Sequence, residues 1–319
     1  MDRRKFGKSI ATLGAMFSGT SLLAQTGKEN PIKFSVSMTN NKVKLYTDAV
    51  VKSSKIMFIG DSHISYSDGL VEPYLDYAWR MHKAFMKKPK MEVLDIAFKT
   101  AEREKFDLII LGGDIINFPS DYNIQKLKES MERSKVPVKY ISGNHDWHFE
   151  GSGVDIPQVE VRKKWMKKLE PLFFGEDYDC YKVIVNGVKF ILVDNSAHDI
   201  SPKQLEWTKH ELSDGMPAVL SMHIPIYVDG RPYACGDKKW GTKTDNSYKI
   251  ERRQKYPERQ SDETFAFREV ILNAPNVLGV LAGHTHKLAY DYINGKFQAV
   301  SDRFCDKHEY IQLEIHPKS

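Results

Sequence analysis

Five short blocks in this 319-residue chain carry carboxylate, amide and imidazole side chains in a fixed order. They are Asp61-Ser62-His63, Gly113-Asp114-Ile115-Ile116-Asn117, Gly143-Asn144-His145-Asp146, His223 within Ser221-Met222-His223-Ile224-Pro225, and Gly283-His284-Thr285-His286. None of them contains a cysteine. Oxygen and imidazole donors without thiolate suit hard-to-borderline cations. Two cations about 3.5–4 Å apart need a ligand that reaches both, and a carboxylate can offer one oxygen to each. Asp114 is the candidate bridge. Neutral imidazoles and the Asn144 amide complete the coordination without so much negative charge that the metals lose their acidity. The expected chemistry is attack of a metal-activated water on a phosphoryl centre. His145, beside the amide ligand, is the candidate proton donor to the leaving oxygen, and Asp146 a candidate for orienting the site.

Each block needs an element to place it. Just before them run Ile56–Ile59, Leu108–Leu111, Val138–Ile141, Ala218–Leu220 and Val277–Leu281, all short and rich in aliphatic residues. Such runs read as buried strands. The polar blocks then fall at strand C-terminal ends, where open α/β sheets gather their sites. Amphipathic spacing predicts helices over 70–87, 91–105, 124–134 and 159–169, and Ser201-Pro202 opens another to about Leu212. Hairpins are expected about Asn40-Asn41, Asn186-Gly187 and Asn294-Gly295, with a closing strand over 310–315.

The order and spacing of the five blocks resemble the calcineurin-like metallophosphoesterases, with their Asp-x-His, Gly-Asp, Gly-Asn-His-Asp/Glu, His and Gly-His-x-His signatures. The resemblance spans residues 55 to 290. It implies an α/β fold, a four-layer sandwich of two mixed β-sheets flanked by helices. It also implies two transition-metal ions, Mn, Fe or Zn. One would take Asp61, His63, Asp114 and His286; the other would take Asp114, Asn144, His223 and His284. A small phosphomonoester or phosphodiester is the implied substrate, with a nuclease or a pyrophosphate-bond hydrolase of the same fold as alternatives. A binding module with a structural metal centre is the non-enzyme alternative. It accounts poorly for His145, which no metal needs.

One position departs from two branches of that family. Three residues after the bridging Asp, the phosphoprotein phosphatases carry an Asp paired with the catalytic His, and the purple acid phosphatases carry a metal-ligating Tyr. Here it is Asn117, which can accept from an imidazole N–H without supplying charge. Asn117 is therefore expected to orient His145. The stretch 227–262, rich in Lys, Arg, Gly, Pro and Tyr, is too long for a plain connection and is expected to form a rim or lid. Within it Arg231 is a candidate phosphate contact, because a planar guanidinium matches phosphate oxygens. His148, just past the third block, is a second candidate substrate contact.

Residues 1–25 read as a cleaved export signal. Arg3-Arg4 with Phe6 and Lys8 resembles a twin-arginine signal, and the modestly apolar stretch after it is too short for a strong membrane span. A periplasmic or secreted protein, delivered by the twin-arginine machinery as one domain over 30–319, is the expectation. The formal charge of +5 falls to +2 once the +3 of residues 1–24 is set aside, which is too weak to suggest nucleic acid. Cys180, Cys235 and Cys305 have no metal-binding spacing, and in an oxidising compartment two of them could pair.

Overall fold

The aliphatic runs before the five blocks become strands that are buried on both faces, the one over Val138–Ile141, at a sheet edge, only in its second half. In the computed structural model, which describes residues 30–66, 91–147, 158–228, 231 and 259–318, they are β3 (Ser54–Ile59), β4 (Leu108–Gly112), β5 (Val138–Ile141), β8 (Ala218–Ser221) and β9 (Val277–Ala282). The remaining strands come from the expected turns. Asn40 at φ 51° closes β1 (Phe34–Thr39) onto β2 (Lys42–Thr47). Asn186-Gly187 and Asn294-Gly295 hold both residues at positive φ, the signature of a type I′ turn. They join β6 (Cys180–Val185) to β7 (Val188–Val193) and β10 (Ala289–Ile293) to β11 (Lys296–Val300).

With β12 (Ile311–Pro317), these strands build two mixed six-stranded sheets, β1-β2-β12-β3-β4-β5 and β10-β11-β9-β8-β7-β6. In the first, β12 inserts between β2 and β3, parallel to the former and antiparallel to the latter. The second is parallel through β11-β9-β8-β7 and antiparallel at both edges. Alternation along β7 shows how it is sandwiched. Phe190 and Leu192 belong to the large core shared with the first sheet, whereas Ile191 and Val193 join the cluster under α5 (Pro202–Leu212) and α6 (Asp262–Asn273). Helices α1 (Met91–Arg103) and α2 (Asp121–Arg133) contribute Leu94, Phe98, Leu127 and Met131 to the large core. The fold is thus two mixed sheets flanked by helices, and Pro31–Ser319 is one compact unit.

Helix starts follow their caps. The Ser120 hydroxyl accepts from Asn123 N, so α2 begins three residues ahead of the apolar pattern. Ser201 and Gln204 make a reciprocal capping box on α5. Further helices are α3 (Asn144–Trp147), α4 (Gln158–Leu169) and α7 (Phe304–Lys307). Cys180 and Cys305 are both buried and are not bonded to each other. The expected helix over 70–87, most of the expected lid, Cys235 and the N-terminal signal lie outside the described residues. Among the described residues, no helix is long and apolar enough to cross a membrane.

Candidate metal centre

Asp61, Asp114, His223 and His284 each sit two residues past the end of a strand, on β3, β4, β8 and β9. The chain turns sharply at these points. Asp61, His63, Asp114, His284 and His286 all have φ between 47° and 71°. Left-handed backbone is uncommon for residues with a side chain, and it concentrates where neighbouring structure enforces it. Here the enforcement is visible. The amides of Asp61, His63 and Ile64 donate to the carbonyls of Gly113, Asp114 and Ile115, so the two loops run on as an irregular extension of the β3–β4 pairing. Across the sheets, His284 N donates to Asp61 Oδ2 at 2.9 Å. Gly113 lies beneath His223 at φ 90°, and a Cβ there would come within 2.5 Å of His223 Nδ1.

The side chains so placed form two buried groups with one shared member. Asp61, His63, Asp114 and His286 can bring their ligand atoms within 4.8 Å of one another, and so can Asp114, His223 and His284. His63 Nε2 lies 3.0 Å from His286 Nε2 and 4.0 Å from Asp114 Oδ2. On the other side His223 Nε2 lies 3.3 Å from the same Asp114 oxygen and 3.2 Å from His284 Nδ1. Asp114 Oδ2 therefore faces both groups, as a bridge must. Two imidazole nitrogens turned toward each other repel unless a proton or cation lies between them. Asp61 Oδ1 and Asn144 Oδ1 are buried yet accept no hydrogen bond, which also fits a cation as their partner.

The outer partners decide which imidazole nitrogen faces inward. His63 Nδ1 donates to Asn117 Oδ1 at 2.9 Å, and His223 Nδ1 donates to Gly112 O at 3.0 Å. Each ring is thereby left with Nε2 facing inward. Burial pulls His63 down to about 4, against the opposing pull of Asp114. Burial would lower His223 as well, but the closer Asp114 carboxylate outweighs it and pushes this imidazole up to about 10.

Several expected roles change here. Asn117 was expected to orient His145, yet it grips His63 at two points, its Nδ2 also donating to His63 O at 2.9 Å. The reason is the loop pairing, which lays Asn117 alongside His63. Asp146 is fully buried, and its oxygens accept from Ile116 N at 2.8 Å and Gly143 N at 2.6 Å. It ties the third block to the second through backbone amides. Burial and the neighbouring Asp114 push its carboxyl up to about 8. Arg231, expected as a phosphate contact, has its guanidinium buried, donating to Asp291 Oδ2 at 2.7 Å and Ile226 O at 2.6 Å. A buried guanidinium needs a carboxylate, and β10 supplies it. His148 lies outside the described residues.

His145 is half-buried and makes an edge-on contact with His63, ring centres 4.8 Å apart. Its backbone N–H donates to Asp114 Oδ1 at 2.7 Å. A second imidazole outside the two groups, His198, packs edge-on against His284 with ring centres 5.4 Å apart. The only sequence signal for it was its place just beyond a strand end.

The calcineurin-like phosphoesterase profile matches residues 54–288 of this chain. A protein of Fibrobacter succinogenes described as a probable cyclic nucleotide phosphodiesterase is 28% identical over 187 residues, covering 59% of this chain and 60% of that protein. Similar solved structures include a dimetal phosphatase from Danio rerio, with TM-score 0.44, 13% identity, and coverage of 78% of this chain and 87% of that one. A purple acid phosphatase, PPD1, from yellow lupin has TM-score 0.47 and 13% identity, covering 82% and 46%. With the profile spanning all five blocks and the strands that carry them, the chain belongs to the calcineurin-like phosphoesterase family.

Proposed function

We propose that this protein hydrolyses a phosphoester bond of a small molecule, a phosphodiester before a phosphomonoester, with the help of two transition-metal ions. The observation that carries the reading is the pair of buried ligand groups sharing Asp114 Oδ2, with a half-buried imidazole beside them that neither group uses. The diester preference takes its support from the relative described as a probable cyclic nucleotide phosphodiesterase.

Asp61, His63, Asp114 and His286 would hold one cation, and Asp114, Asn144, His223 and His284 the other. When bound, such a pair supplies an acidified water and offsets charge on phosphate oxygens. The chain supplies the rest. Asn117 and the Gly112 carbonyl hold the inward tautomers of His63 and His223. His145 keeps a ring proton close to where the leaving oxygen must depart, and delivers it there. Asp146 keeps the backbone of that turn against the Asp114 loop.

Metal content per chain, measured beside turnover of bis(4-nitrophenyl) phosphate, 4-nitrophenyl phosphate and a cyclic nucleotide, tests the reading. Two metals and a higher kcat/KM on the diesters are expected. Metal-loaded protein inert toward all three would support the binding-module alternative instead. Export is proposed on the Arg3-Arg4 pair with Phe6 and Lys8, with residues 1–25 as the signal and 30–319 as the exported domain. Replacing both arginines by lysine keeps the charge and should strand the precursor in the cytoplasm. Fractionation showing mature protein outside the inner membrane would refute twin-arginine routing.

A further inference from the structure

The four-residue helix α3 carries Asn144 and His145, and it is too short to hold itself. One turn fixes about six dihedral angles for a single hydrogen bond, so its orientation must come from anchors at its ends. On one side the anchors are those of the metal loops: His145 N to Asp114, and Asp146 to Ile116 N and Gly143 N. On the other side the anchor is one carboxylate from the opposite sheet.

Asp194 follows β7 directly and is buried. Its Oδ2 accepts from the Ser142 hydroxyl, the residue just before Gly143. Its Oδ1 accepts from Ser196 N at 2.8 Å and from Ser196 Oγ at 2.6 Å. Ser196 Oγ in turn accepts from Trp147 Nε1 at 2.8 Å, and Trp147 is the last residue of α3. Both ends of the Gly143–Asp146 block are thereby tied to a single side chain. Ser142, Trp147 and Ser196 are all fully buried, so water does not compete for these bonds. Asp194 is itself held. Arg162 Nη2 donates to its Oδ2 at 3.0 Å and to Asp179 Oδ1 at 2.9 Å, and Gln204 Nε2 donates to its carbonyl.

We infer that Asp194 is a positioning residue for His145, acting through Ser142 at one end of the turn and through Ser196 and Trp147 at the other. The inference rests on the phosphoesterase reading for what His145 does; the tether itself does not. Asp194→Asn keeps the shape but replaces one accepting oxygen by a donor. Ser196→Ala cuts only the Trp147 arm and leaves the Arg162 and Ser142 bonds in place.

Leaving-group dependence separates positioning from general damage. A good leaving group such as 4-nitrophenolate departs with little help from an acid, whereas unsubstituted phenolate needs the proton. Misplacing the donor by about 1 Å can cost roughly 10²-fold. Both variants should therefore lose about 10²-fold in kcat on a phenyl diester and no more than about tenfold on the nitrophenyl diester. KM and two metals per chain should be retained. Hydrogen exchange gives a readout that needs no turnover: the amides of 143–147 should exchange faster in both variants, while those of β4 and α5 stay as in the parent. Equal loss on the two diesters, or unchanged exchange over 143–147, would overturn the inference. A parent protein without phosphoesterase turnover would sink the functional reading instead, and the exchange result alone would then decide the tether.

Discussion

His63 and His223 face the same oxygen of Asp114, yet the two sides of the site treat their imidazoles in opposite ways. His63 lies 4.0 Å from that oxygen, is anchored by the Asn117 side chain, and is drawn down to about 4 by burial. His223 lies 3.3 Å away, is anchored by the Gly112 carbonyl, and is pushed up to about 10 because Asp114 outweighs burial. The first group presents a neutral imidazole across the physiological range. The second holds a proton where a cation would sit, so binding there exchanges one for the other. The anchors differ in vulnerability too. A side-chain anchor can be removed by substitution, whereas a backbone anchor can only be pushed.

The comparison can be attacked most directly at the atom both sides share. Asp114→Asn should lose much of the second metal and reduce turnover by several orders of magnitude, read by metal stoichiometry and kinetics on one preparation. A variant retaining both metals would show that the bridge lies elsewhere. Next, His145→Gln should leave both groups loaded and cost about 10²–10⁴-fold in rate; normal turnover would remove His145 from the mechanism. The anchors come third. Asn117→Ala should weaken one metal by about 10–100-fold, the usual cost of losing an outer hydrogen bond to a ligand, and leave the other unchanged. Titration against a competing chelator would show two separated affinities; equal weakening of both would erase the distinction. The smallest effect is in pH. With His223 raised to about 10, its proton competes with the cation at every lower pH. One of the two affinities should therefore rise about tenfold per pH unit between roughly pH 6 and 9. The other, on the His63 side, should hardly change above about pH 5, because that imidazole has already lost its proton. Parallel pH dependence of both affinities would mean the two imidazoles are not electrostatically distinct.

The strands, hairpin turns and shared carboxylate were legible because they are local: aliphatic runs, Asn-Gly pairs, and ligand residues just beyond strand ends. What was not legible depended on partners distant in sequence. Asn117 stands 28 residues before His145 and 54 after His63, and only the pairing of the β3 and β4 loops decides which imidazole it meets. On sequence Arg231 reads as a phosphate contact because a planar guanidinium matches phosphate oxygens. Its partner Asp291 sits on β10, and nothing in the loop itself announces that ion pair. Asp194 carried no motif, since its importance comes from where Ser142 and Trp147 end up. The run over 310–315 read as a strand, but its place between β2 and β3 followed from no local pattern.

That insertion of β12 bears on the order in which the chain can fold. The β3–β4 pair, whose ends carry Asp61 and Asp114, has β12 as its other neighbour, and β12 is formed by residues 311–317. During synthesis, all of the preceding sequence leaves the ribosome while β3 still has an open edge facing the gap to β2. Strand edges left waiting in this way are slow to pair and prone to wrong partners. A nascent chain stalled before residue 311 should be sensitive to protease in its β1–β5 region, and completion of the last strand should close it. Assembly of the phosphoester site then waits on a strand that begins about 250 residues downstream of Asp61, and pairing near the start of the fold is decided far along the chain.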